Sequence, residues 1–139
     1  MSLKKGLVLD LDISSEGLQG TTKFKDKTPY ENNGTLSNVT LTTDHKGKAN
    51  SAGLFNGTSS YIDCGNNESL NITGAITMSA WIKIDSYTNN NPNIIAKELS
   101  YFLGIGTTGN YIRSGIRTSE GSYEIKTARS EERRVGKEC

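Results

Sequence analysis

Asp10 and Asp12 stand two residues apart in "GLVLDLDIS". On an extended strand such residues share a face, with their side chains roughly 7 Å apart, a separation that invites comparison with the carboxylate pair of a glycoside hydrolase. "GIGTTG" at 104–109 has the spacing of a dinucleotide loop. That loop must open a helix whose N-terminus holds pyrophosphate. The next residues, "NYIRSGIR", are strand-like and broken by glycine, so the glycines of 104–109 are assigned to a turn. His45 is the single histidine, in a turn beside Lys46 and Gly47. One His and one body cysteine, Cys64, cannot fill a zinc shell, and no G-x-S-x-G elbow frames a serine nucleophile. No catalytic residue is assigned. "DKTPYENNG" gathers hard oxygen donors in one loop, the chemistry that suits Ca2+. Tyr87, Asn89, Asn91 and Tyr101 combine rings that stack on a sugar with amides that bond its hydroxyls, and are the candidate ligand-binding residues.

These side chains need elements to hold them. Residues 6–13 alternate with a period of two, Leu7, Leu9, Leu11 and Ile13 on one face, which predicts a half-buried strand. A long polar stretch then reads as a surface loop until "GTLSNVTLTT" (34–43) resumes strand composition. "SAGLFNGTSSYIDCG" predicts two strands joined in a hairpin at Asn56-Gly57. "NNESLNITG" is a polar crossover with one helical turn near Glu68 to Leu70. "AITMSAWIKID" (75–85) alternates most strongly and predicts a strand, with Trp81 in the core. Beyond it "IIAKEL", "YFLGIG", "YIRSGIR" and "SYEIKTA" are strand candidates separated by Gly, Asn and Ser.

Composition agrees with this reading. The 139 residues suit one domain, and 33% hydrophobic content with abundant Ser, Thr, Asn and Gly fits short strands joined by polar turns. The expected class is all-β, an antiparallel β-sandwich or jelly roll, since one such sheet must bury its apolar face on another. Net charge is +1, and without the last eleven residues acidic and basic groups balance at twelve each. A neutral body gives no electrostatic case for nucleic acid. No apolar run is long enough for a membrane span or an export signal, so no membrane insertion is expected and localisation is left open.

Four segments in order resemble the laminin-G-like family of the concanavalin A-like lectin and glucanase superfamily: "GLVLDLDIS"; "DKTPYENNGTL"; "GKANSAGLFNGTSSYIDCG" running on through "AITMSAWIKID"; and "IIAKELSYFLGI". The resemblance implies a non-catalytic binding module directed at carbohydrate, a glycan or surface polysaccharide, with a structural Ca2+ near Asp26, Asn32 and Gly34. It is similar to the phage virion and tail-fibre or surface-adhesion subset, which implies assembly with virion proteins. Two alternatives stay open. One is a glycan hydrolase of the same fold, although "LDLDISS" lacks the third carboxylate of that family's Glu-x-Asp-x-x-Glu strand. The other is a purely structural virion interaction domain without a sugar site.

The last segment, "RSEERRVGKEC", differs abruptly from the rest. Its codons can be written so as to match a sequencing-library adapter read in one frame. The sequence therefore divides into a laminin-G-like domain at 1–128, expected to lack its C-terminal strands, and an artefactual tail at 129–139 with no function.

Overall fold

The structure, a computed structural model, describes residues 6–86, 92–106, 111–118 and 121–126. The 129–139 segment, Cys139, Tyr87, Asn89 and Asn91 lie outside the described residues. The chain is all-β, with three antiparallel sheets and a single 3-10 turn among those residues. No helix described is long and apolar enough to cross a membrane. Contacts divide the chain into two compact units meeting at Thr73 and Gly74.

In the first unit a four-stranded sheet runs in the order β1 (Leu18–Gln19), β2 (Lys23–Phe24), β3 (Gly34–Ser37), β6 (Tyr61–Asp63). Strands β4 (Thr40–Thr42) and β5 (Ala52–Leu54) form a separate pair. The predicted 34–43 strand is thus two strands in two sheets. Asn38, at φ 51°, breaks the chain between them, a conformation Asn tolerates better than most residues. The 3-10 turn, η1 (Glu68–Leu70), falls where the crossover was expected, capped by Asn67 accepting from the Ser69 N–H.

Three expectations are corrected. Residues 6–13 form only an isolated bridge, Leu11 with Asp26, because their polar groups bond to the 26–32 loop instead of to a strand. Their alternation still has meaning: Leu11 lies against Gly34 and Ile13 against Gly53, positions where any Cβ would collide. The Asn56-Gly57 hairpin is absent, since β5 pairs with β4 and β6 with β3. Asn56 Oδ1 instead accepts from the N–H groups of Thr58, Ser59 and Ser60, closing a wider loop. Residues 75–85 carry no strand, and Trp81 is 99% exposed. Alternation shows which side chains could share a face, but a ladder also needs a neighbouring strand, and among the described residues no strand pairs with this segment.

The first unit's buried face is set by pairing. Phe24 lies opposite Gly34, Leu36 opposite Ile62, and Phe24 is wholly buried in what reads from sequence as a surface loop. Gly17 holds that loop down: its carbonyl accepts from the Lys25 N–H, and a Cβ there would stand 1.9 Å from the Asp12 carbonyl oxygen. Gly17→Ala must therefore move backbone, and its expected cost is about 1–3 kcal/mol. Gly74→Ala, which meets nothing within 4 Å, is expected to stay within about 0.5 kcal/mol. Urea midpoints for the two variants check the contrast.

The second unit is a meander, β7 (Asn93–Lys97), β8 (Tyr101–Ile105), β9 (Ile112–Thr118) and β10 (Gly121–Lys126), each strand beside the next. These are the four strand candidates that the alternation and turn residues mark out. The Gly106 N–H donates to the Tyr111 carbonyl between β8 and β9. Gly104 and Ile105 lie in β8, and the element after Tyr111 is strand β9 and not a helix, as the strand-like sequel implied.

Candidate functional site

The 26–34 loop is organised around one buried carboxylate. Asp26 is 2% exposed, and its two oxygens accept four hydrogen bonds. Oδ1 takes the N–H groups of Asp10 (2.9 Å) and Thr28 (3.0 Å). Oδ2 takes the Thr28 hydroxyl (2.7 Å) and the Asn32 N–H (2.9 Å). Asn32, equally buried, donates its amide to the Val8 carbonyl and the Ser69 hydroxyl, tying the loop to the 6–13 segment and to η1. Asn33 Oδ1 accepts from the Asp26 N–H, and Glu31 takes a positive φ of 54° to complete the turn. Burial alone would raise the Asp26 pKa, but the bonds from Thr28, Asp10 and Asn32 outweigh it and hold it below the ordinary 3.8.

Asp26, Asn32 and Gly34 are thus brought together, but as a self-satisfied polar knot. Calcium needs six or more oxygen ligands. Here both Asp26 oxygens already face donors, Gly34 is covered by Ile62 and Leu11, and no cluster of three acidic, His or Cys side chains occurs among the described residues. The donor set suits a carboxylate and does not fit the ion as arranged.

The other chemical candidates separate. Asp12 pairs with Lys27 at 2.9 Å, and the lysine hydrogen bond, helped by Ser14, lowers its pKa. That direction is wrong for a general acid, which must hold a proton near neutral pH. Cys64 is half-buried, and burial, with the Asp63 and Asp26 charges, pushes its thiol up to about 11, so little nucleophilic thiolate forms at neutral pH. His45 stays in its turn. Of the proposed sugar set only Tyr101 is described, half-buried on β8 opposite Lys97 and Ile116.

Sequence reasoning missed the outward face of the four-stranded sheet. Pairing aligns Gln19, Lys23, Thr35 and Asp63 in one exposed row, with Ser37 and Tyr61 in the next. Tyr61 is 57% exposed. Beside Thr35 and Asp63 lies a groove of about 340 Å³, which Glu31, Asn33 and Asn67 also line. The signal for this row was the polar alternation of "TLSN" and "YIDC", readable only once the register between β3 and β6 is known.

A laminin-G family model described as "Concanavalin A-like lectin/glucanases superfamily" matches residues 56–136. No curated protein and no solved structure matches the chain.

Proposed function

The chain belongs to the Concanavalin A-like lectin/glucanases superfamily, and we propose that it works there as a non-catalytic module directed at carbohydrate. The superfamily match carries this reading. The chemistry of the described residues supports it: Lys27 lowers the Asp12 pKa, which does not suit a general acid, and burial keeps the Cys64 thiol protonated, which does not suit a nucleophile. The ligand class is a glycan or surface polysaccharide, and the setting is a phage virion or tail, or a surface-adhesion protein, with virion proteins as assembly partners. Tyr101, with Tyr87, Asn89 and Asn91, belongs to the contacts proposed from sequence.

The test is co-sedimentation of the purified chain with insoluble cellulose, chitin and mannan and with bacterial surface polysaccharide, alongside a reducing-sugar assay on the same samples. Saturable retention on at least one glycan without sugar release is the expected result. Release that grows with time makes the chain a hydrolase and overturns the non-catalytic reading. Retention on none of them overturns the carbohydrate reading and favours a structural virion domain.

A further inference from the structure

We infer that the glycan contact lies on the outward face of the four-stranded sheet, with Tyr61 as the stacking platform and the Asp63 groove as the seat for hydroxyl groups of a neutral sugar. The inference rests on the carbohydrate reading above and gives it a location in the first unit. Tyr61 and Asp63 are two residues apart on β6, so their side chains leave the same face roughly 7 Å apart. That is about the width of one pyranose ring from platform to carboxylate.

The groove is pre-formed by bonds on its far side. Asn33 Oδ1 accepts from the Asp26 N–H, which fixes the side chain with its amide nitrogen as the group that can donate. Asn67 is held by capping Ser69 and by donating to the Tyr30 carbonyl. Asp63 Oδ1 accepts from the Gly65 N–H at 2.8 Å, which orients the carboxylate while the residue stays exposed. Thr35, directly opposite Asp63, adds a hydroxyl. Donors and acceptors on fixed stems beside an exposed ring are what vicinal hydroxyls need, since little ordering entropy remains to be lost on binding. Glu31 and Asp63 against Lys23 leave the lining one negative charge in excess, which disfavours carboxylated or sulfated sugars.

The experiment prints the whole chain on an array of neutral, sialylated and sulfated oligosaccharides and repeats it with Tyr61→Ala, Asp63→Asn and Phe55→Ala. Asp63→Asn keeps an acceptor for the Gly65 N–H, and far-UV circular dichroism confirms that each variant folds. The expected result is binding to neutral spots that falls roughly tenfold or more in Tyr61→Ala and Asp63→Asn while Phe55→Ala, which removes an exposed ring outside the four-stranded sheet, keeps it. Binding unchanged in both β6 variants overturns this location and leaves the carbohydrate reading standing. Binding confined to acidic spots overturns the neutral-sugar assignment. No binding by the parent chain overturns the carbohydrate reading itself, and this one with it.

Discussion

Phe24→Ala is expected to lower the stability of the first unit by about 3–5 kcal/mol, a large share of the 5–15 kcal/mol by which domains are usually stable. The ring is 0% exposed, and Phe24 and Leu70 are the unit's buried apolar side chains among the described residues. With so few such groups, the neighbours have little apolar bulk with which to fill the space. Phe24→Leu, which keeps most of the volume, should cost about 1.5 kcal/mol or less. Phe55→Ala, at a position already 44% exposed, should stay within about 0.5 kcal/mol. Urea unfolding separates the three: the midpoint falls for Phe24→Ala at an unchanged slope, which marks lost stability and not a changed unfolded state. A midpoint within error of the parent would sink the claim that this ring is the unit's main apolar anchor.

That Phe24 was invisible in the sequence comes from how little local signal it carries. Its strand is two residues long and the ring is flanked by Lys23 and Lys25, so no window shows a period. Its partner across the ladder is Gly34, on which Leu11 and Ile62 pack, an arrangement assembled from four separate stretches of the chain. The second unit was legible for the opposite reason: among the described residues β7 to β10 pair only with sequence neighbours, so alternation and turn residues suffice. The same contrast accounts for the hairpin at Asn56-Gly57. The dipeptide does bend the chain, with Gly57 at φ 74°, but β5 and β6 leave it for partners 10 or more residues away. Local preference fixed the bend and non-local pairing fixed the sheet.

The candidate site was legible in part. An oxygen-rich loop around Asp26 is plain in "DKTPYENNG", but composition cannot say whether those oxygens face a cation or backbone donors. The structure turns them on the chain itself: Asp26 meets three N–H groups and a hydroxyl. The row of Lys23, Thr35 and Asp63 has no local signature, because its members come from three strands and share a face only through register.

Asp26→Ala should cost several kcal/mol, because it strips the acceptor from the N–H groups of Asp10, Thr28 and Asn32 at once. Thr28 and Asn32 are buried, and each buried donor left unmade costs about 1–3 kcal/mol. Asp26→Asn keeps one oxygen but sets an amide against donors, so it should fall between the parent and the alanine variant. The same carboxylate predicts an acid transition. Its folded pKa is lowered from 3.8, so its contribution is complete above that unfolded value and is lost as pH falls through the folded one. Stability against urea should therefore be flat toward neutral pH and decline below about pH 4, and Asp26→Asn should blunt that decline. Asp12 is also lowered, but its bond to Lys27 is solvent-screened, with the two side chains 31% and 52% exposed, so Asp12→Asn should leave most of the acid transition in place. An acid transition that persists in Asp26→Asn and disappears in Asp12→Asn would place the pH-sensitive anchor at the surface pair and refute the buried knot as its source.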